Sequence, residues 1–183
     1  MSILIGLHEV NPPIFLAPMA GITDLPFRRV VSRFKTGHFV SEMIASQELL
    51  TQRPGVRQKA ALGTYSTNTS VQISGRDPYA ISETAKLVEG MGAQIIDINM
   101  GCPAKKVVNG YAGSALLKDL DLAARLIEAV VTSVSVPVTL KTRLGWNDTN
   151  FNAPKLAKIA EQVGIKLITI HARTRCQFYK GTA

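Results

Sequence analysis

Short apolar runs rich in β-branched residues alternate along the chain with longer segments in which apolar residues recur at helical spacing. The runs predict six strands, over residues 14–17, 39–42, 71–74, 95–99, 138–141 and 167–170. Since these runs look apolar on both faces, we expect a parallel sheet covered by helices.

Residue types that start and stop helices lie between the predicted strands. Asp24 can cap a helix with Pro26 in its first turn, and Asp77, directly before Pro78, can cap a second helix that runs to about residue 89. Further helices are predicted over residues 119–134 and 153–163, the latter ended by Gly164. The polar segment 51–69 is predicted to be a loop that contains a short helix.

Repeated βα units fit either an open doubly wound sheet or a (β/α)8 TIM barrel. The first βα turn reads Ala17-Pro18-Met19-Ala20-Gly21 and lacks the Gly-x-Gly-x-x-Gly pattern of dinucleotide-binding loops. The sequence also has no Gly-Lys-Ser/Thr phosphate-binding loop. These features favour the barrel among α/β folds.

A complete TIM barrel has eight strands and typically ~250 residues, whereas this chain has 183 residues and six predicted strands. We therefore expect residues 1–183 to be the N-terminal part of a catalytic barrel domain, with the barrel incomplete. An open barrel exposes apolar sheet edges and helix faces. The 183 residues alone are expected to be unstable or to aggregate, and to bind a cofactor weakly or not at all.

Polar residues lie at or near the carboxyl ends of five successive predicted strands. In a parallel barrel these ends form one mouth, where active sites are built. Each polar side chain is removed from water there unless something occupies the mouth. The residues are Glu42, Gln72, Asn99, Lys141 and His171.

Cys102 follows the fourth predicted strand and lies in a loop between Gly101 and Pro103. A lone cysteine is usually a small buried apolar residue, but this position favours a functional thiol. The second cysteine, Cys176, lies in no motif. Two cysteines make neither a disulfide framework nor a metal cluster, so we expect a reducing, cytoplasmic setting and no metal site.

The net charge of +8 adds polyanions to the candidate partners of this chain. Basic proteins favour polyanions such as nucleic acids, although solubility alone is an alternative explanation. The first residues do not resemble a signal peptide, and no stretch approaches the ~18 apolar residues of a membrane span. We therefore expect no membrane partner.

Four motifs in order resemble the tRNA-dihydrouridine synthase family, closest to its bacterial B-type members, over essentially the whole chain. They are Ala17-Pro18-Met19-Ala20-Gly21-Ile22-Thr23-Asp24, Asn99-Met100-Gly101-Cys102-Pro103, Lys141-Thr142-Arg143-Leu144-Gly145 and Ile170-His171-Ala172-Arg173-Thr174. The resemblance implies a flavin-binding TIM barrel that reduces uridine in tRNA to 5,6-dihydrouridine, with FMN as cofactor and NADPH as reductant. It also implies a C-terminal helical domain, which we do not find in this sequence.

The resemblance further implies a role for each matching position. Cys102 would be the general acid that protonates the uracil at C5. The flavin would be contacted by Pro18, Met19, Ala20, Gln72, Lys141 and His171. The tRNA would be contacted by Asn99 at the target uracil and by Arg143 and Arg173.

Simpler roles compete with several of these assignments. Asn99 could bond its own loop, His171 could be a satisfied core residue, and Lys141 could extend to the surface. For the whole chain, the alternatives are another FMN-barrel oxidoreductase acting on a free pyrimidine or enone, or an inactive fragment that binds RNA through its charge.

Overall fold

The computed structural model describes residues 1–51, 55–62 and 68–182, and its first two strands form an antiparallel hairpin. β1 (Ile3–Ile5) and β2 (His8–Val10) pair across a turn in which Gly6 has a φ of 61°, a conformation that glycine adopts readily. Ile5 and Val10 are buried with Ile95 in a small apolar cluster. Sequence analysis does not predict this hairpin.

Parallel strands form one curled sheet and follow one another around it in chain order. They are β3 (Phe15–Leu16), β4 (His38–Val40), β5 (Ile44–Ala45), β6 (Thr69–Ser74), β7 (Ile96–Met100), β8 (Val138–Arg143) and β9 (Leu167–His171). β4 and β5 pair with the first and last residues of β6, so they act as one interrupted strand. A doubly wound sheet reverses its strand order at a switch point, whereas this order does not. The fold is therefore α/β, an incomplete TIM barrel of six strand positions, as the sequence predicts.

Helices connect these strands and cover the outer face of the sheet. They are α1 (Leu25–Val31), α2 (Ser46–Leu50), α3 (Val56–Lys59), α4 (Pro78–Gly90), α5 (Lys105–Asn109), α6 (Leu120–Val131) and α7 (Ala153–Val163). Short 3-10 helices lie at Ser32–Phe34 and Gly113–Lys118. The predicted caps of α1 and α4 are confirmed, because Asp24 and Asp77 accept backbone N–H groups at 2.9 and 2.7 Å.

Helix α6 ends at Val131 and not at residue 134 as predicted. The hydroxyl groups of Thr132 and Ser133 donate to the carbonyls of Glu128 and Val130, at 2.7 and 2.9 Å. Such local bonds compete with the helical ladder. The loop predicted over residues 51–69 does contain a short helix, α3, while its residues 52–54 and 63–67 lie outside the described residues.

The two faces of the sheet differ, which corrects the expectation of strands that are apolar on both faces. Outward side chains such as Ile73, Ile98 and Leu140 are fully buried in the main core, between the sheet and its helices. Each such side chain contributes roughly 1.5–3 kcal/mol of burial free energy. Strands β6 to β8 carry polar side chains, such as Gln72 and Asp97, at the alternate positions that face inward. The polar side chains on the concave face therefore need hydrogen-bond partners, and most of these partners are other side chains on the same face.

Candidate active site

The carboxyl ends of β6 to β9 bring five of the predicted site residues to one edge of the sheet. Asn99 on β7 pairs in register with Lys141 on β8, and His171 on β9 pairs with Arg143 on β8. Gln72 on β6 pairs with the residue two before Asn99. The polar strand ends that the sequence assigns to one mouth are therefore neighbours in the fold.

A buried chain of hydrogen bonds links four side chains on β6, β7 and β8. Asp97 accepts from the Thr139 hydroxyl at 2.6 Å with one carboxylate oxygen and from Gln72 Nε2 at 2.7 Å with the other. Gln72 Oε1 accepts from Asn99 Nδ2 at 2.9 Å. Asn99 Oδ1 in turn accepts the backbone N–H groups of Gly101 and Cys102, at 3.2 and 3.0 Å. We call Thr139, Asp97, Gln72 and Asn99 the Asp97 network.

The loop that carries Cys102 is held from its other side as well. The Cys102 carbonyl accepts two hydrogen bonds from Ser114, one from the backbone N–H at 3.1 Å and one from the side-chain hydroxyl at 2.9 Å. Gly113 beside it has a φ of 60°, and a Cβ at that position would lie 2.8 Å from the Cys102 carbonyl oxygen. Only glycine therefore fits there. The Cys102 side chain itself is partly exposed.

Arg143 fastens the same loop to the segment after β9. Its Nε donates to the Gly101 carbonyl at 2.9 Å, and its Nη1 donates to the carbonyls of Thr174 and Phe178, at 3.0 and 2.9 Å. Arg143 as a whole residue is only 3% exposed. Arg173 likewise donates to backbone carbonyls, those of Lys180 and Gly181. In this structure both arginines are thus engaged with the backbone, and their contacts with tRNA stay predictions.

Lys141 and Asp97 place opposite charges in a poorly solvated region. Burial raises the pKa of Asp97, whereas the bonds from Gln72 and Thr139 and the charge of Lys141 lower it. Burial also lowers the pKa of Lys141, with Asp97 opposing that effect and Arg143 adding to it. The two groups therefore stabilise each other's charged form, and Lys141 is not a surface lysine.

His171 at the end of β9 has a ring nitrogen without a partner. Among the described residues, its Nδ1 is buried and makes no hydrogen bond. Burial lowers the pKa of His171, and the positive charges of Arg143, Lys141 and Arg173 lower it further. The neutral form of the ring is therefore favoured, and its Nδ1 has hydrogen-bonding capacity left for a ligand.

The first βα turn presents Pro18, Met19 and Ala20 at the mouth. The Thr23 hydroxyl accepts the Met19 N–H at 2.9 Å and donates to the Met19 carbonyl at 3.1 Å. Glu42, just past β4, accepts the backbone N–H of Gly21. Glu42, which the sequence places at a strand end, therefore holds this turn in position.

A cavity of about 150 Å³ opens on the concave side of the sheet. It reaches the first βα turn through Pro18 and the charged pair through Asp97 and Lys141. His38, which also lines it, bonds the Ser70 hydroxyl at 2.6 Å, and burial together with the neighbouring His8 lowers its pKa to about 4. The concave face thus offers a partly polar space beside Asp97 and Lys141.

Sequence analysis missed three residues of this site, namely Asp97, Thr139 and Ser114. A signal for the first two is present, because polar and apolar residues alternate in Ile96–Met100 and in the first four residues of Val138–Arg143. Such alternation indicates one polar face. No local pattern marks Ser114, whose partner lies twelve residues away.

The model of the family described as "Dihydrouridine synthase (Dus)" matches residues 15–183. The chain belongs to the dihydrouridine synthase family. The family resemblance and the barrel fold expected from it are thereby confirmed. Among the described residues, this dihydrouridine synthase chain has no grouping of three or more His, Cys, Asp or Glu side chains that could hold a metal ion. None of its described helices has the length and apolar character needed to cross a membrane.

Relatives of this dihydrouridine synthase chain match it along nearly its whole length. It is 57% identical to a "Probable tRNA-dihydrouridine synthase" of Rhodobacter capsulatus, over 100% of the chain and 57% of the relative. It is 54% identical to a protein of the same name from Rickettsia conorii, over 99% of the chain and 55% of the relative. It is 48% identical to "tRNA-dihydrouridine synthase B" of Pseudomonas aeruginosa, over 100% of the chain and 55% of the relative. The chain thus spans somewhat more than half the length of these relatives.

Proposed function

We propose that the natural full-length protein carrying this chain reduces uridine in tRNA to 5,6-dihydrouridine, with FMN as cofactor and NADPH as reductant. The observation that carries the proposal is that the Cys102 loop, Lys141 and His171 meet at one edge of the sheet. The relatives match nearly the whole chain, and their names support tRNA as the substrate. The net charge of +8 also suits a polyanion.

The residues at the mouth fit a flavin. The buried Nδ1 of His171 has no partner among the described residues and offers a hydrogen-bonding position. Lys141 is a partly buried cation beside the cavity, and anionic reduced flavin needs a fixed positive charge near N1. Met19 and Ala20 are exposed, so the first βα turn leaves a surface against which a planar ring can lie.

When bound, FMN supplies a hydride for C6 of the uracil, with NADPH as the source of electrons. Lys141 would then balance the negative charge of the reduced ring, and Gln72 would hydrogen-bond the ring edge. Pro18, Met19 and Ala20 would line the ring, and His171 would flank it. These roles are the ones that the family resemblance implies, and the positions of the residues at the mouth are consistent with them.

Cys102 would give its thiol proton to C5 of the uracil, which completes the saturation of the C5–C6 bond. A cysteine thiol is mostly protonated at neutral pH in its ordinary state and can therefore act as an acid. Asn99 would hold the uracil, and Arg143 and Arg173 would lie on the tRNA side of the site. The bonds from Asn99 and Ser114 fix the backbone on both sides of the thiol.

A comparison of two substrates tests the proposal. The purified natural full-length protein is given FMN, NADPH and either tRNA that lacks dihydrouridine or free uridine, and product is measured by mass spectrometry. We expect flavin to stay bound through gel filtration and dihydrouridine to form in tRNA far faster than in free uridine.

The other outcomes identify the alternatives. Equal or faster reduction of free uridine would indicate an FMN-barrel oxidoreductase acting on free pyrimidines. Salt-sensitive tRNA binding with neither retained flavin nor product would indicate an inactive RNA-binding protein.

A further inference from the structure

Asp97 differs from the other members of its network because, when ionised, it can only accept hydrogen bonds. Each of its two carboxylate oxygens receives one side-chain donor, at 2.6 and 2.7 Å. Its side chain is 4% exposed, and a buried carboxylate without such donors is costly. An acceptor at this position therefore requires Gln72 to turn its NH2 group, and not its oxygen, toward Asp97.

The direction of the Gln72 amide decides that of the next amide. With Nε2 used on Asp97, Gln72 presents Oε1 to Asn99, which must answer with its own NH2 group. Asn99 is then left with Oδ1 facing the loop, where it accepts the N–H groups of Gly101 and Cys102. A reversed Asn99 would bring NH2 against two N–H donors.

We infer that Asp97 is a positioning residue for the Cys102 loop, acting through the amides of Gln72 and Asn99. The inference rests on the proposed function only for what Cys102 does to the substrate. The strand register does not require Asp97, because the backbone pairs of β7 with β6 and β8 hold the sheet whatever the side chain is. An acceptor at residue 97 is needed instead to orient the amides of Gln72 and Asn99, so that Asn99 Oδ1 faces the Cys102 N–H.

The test compares thiol exposure at two cysteines of one protein. In the natural full-length protein, alkylation by iodoacetamide is followed by peptide mass spectrometry at Cys102, with the exposed Cys176 as internal reference. For Asp97→Leu we expect the Cys102/Cys176 rate ratio to rise about fivefold or more, the effect of losing one buried hydrogen bond. If Asp97→Leu does not fold, the Asp97→Leu/Thr139→Val double variant is used in its place. The double variant also removes the Thr139 hydroxyl, which loses its acceptor when Asp97 is replaced.

Two control variants separate positioning from loss of stability. Leu140→Ala removes a fully buried core side chain from the neighbouring strand and leaves the network intact, so the ratio should stay at the wild-type value. Asp97→Asn should also stay near it, since the new amide oxygen can still accept from Gln72 while Thr139 accepts from the new NH2 group. An unchanged ratio in Asp97→Leu, or an equal rise in Leu140→Ala or Asp97→Asn, overturns the inference.

Activity on tRNA gives a second readout. Asp97→Leu should lower kcat for dihydrouridine formation with little change in KM for tRNA, and Asp97→Asn should restore most of it. A fall in kcat no larger than that of Leu140→Ala would also overturn the inference. A wild-type protein that makes no dihydrouridine defeats the proposed function instead, and the alkylation ratios still decide the role of Asp97.

Discussion

At the scale of single residues, the concave face carries polar side chains that hydrogen-bond one another across neighbouring strands. Gln72 and Asn99 each use both ends of the amide in a hydrogen bond. Two competing sequence interpretations of Asn99, a contact with the uracil and a bond to its own loop, are therefore compatible. The amide oxygen serves the loop, whereas the uracil contact stays a prediction.

His38 should make stability depend on pH. Its pKa is lowered from 6.5 to about 4, mainly by burial. A folded-state pKa below the unfolded value gives stability that is complete above pH 6.5 and is lost as the pH falls toward 4. We expect this residue to remove about 2–3 kcal/mol of unfolding free energy between pH 7 and 4.5.

Urea unfolding of the wild type and of His38→Gln at both pH values measures this contribution. Glutamine can still bond the Ser70 hydroxyl but does not titrate, so the variant should lose less stability than the wild type. Equal losses in the two proteins would show that His38 is not responsible.

The sequence placed the motif residues at one site because they lie in four ordered motifs and at the ends of successive predicted strands. Asp97 and Thr139 could not be assigned, since their role lies in cross-strand bonds that depend on register. The bond from Glu42 to Gly21 is likewise invisible in sequence, because its two residues are far apart along the chain.

At the scale of elements, the long helices and inner strands were predictable, whereas α2, α5 and the β1–β2 hairpin were not. The caps and helical spacing of α4 and α7 are local signals. α2 and α5 have five residues each, too few to be stable without tertiary packing. The β1–β2 hairpin depends on burial of Ile5 and Val10, which no local pattern indicates.

Two glycine substitutions test whether the turn at Gly113 holds the Cys102 loop. Gly113 and Gly92 both have positive φ, but a Cβ on Gly92 meets no atom within 4 Å. Both alanine variants should lose about 1–2 kcal/mol from backbone strain. Gly113→Ala should lose more, because its Cβ also collides with the Cys102 carbonyl oxygen.

Thermal unfolding of the two variants measures the difference, and alkylation of Cys102 locates it. A faster Cys102 reaction in Gly113→Ala alone supports a displaced loop. Equal destabilisation by both substitutions would mean that the loop accommodates the methyl group without cost.

At the scale of the whole molecule, charge is the property that a polyanionic substrate would sense. The net charge is +8, and no site residue is needed to explain attraction to tRNA. We expect tRNA binding by the natural full-length protein to weaken with salt, with a log–log slope of about −0.7 to −0.9 for each phosphate contacted. Binding titrations between low and physiological salt measure the slope, and a slope near zero contradicts a phosphate-based interaction.

Proton transfer from Cys102 would complete the proposed reduction of a uridine in tRNA, and one rate comparison decides whether this thiol is the acid. Dihydrouridine formation is measured for Cys102→Ala and for Cys176→Ala, which removes the exposed second thiol of this chain. Loss of a general acid costs about 10²- to 10⁴-fold in rate, so Cys102→Ala should fall by that factor with flavin still bound, while Cys176→Ala keeps the wild-type rate. A Cys102→Ala protein that works as fast as Cys176→Ala would contradict the account.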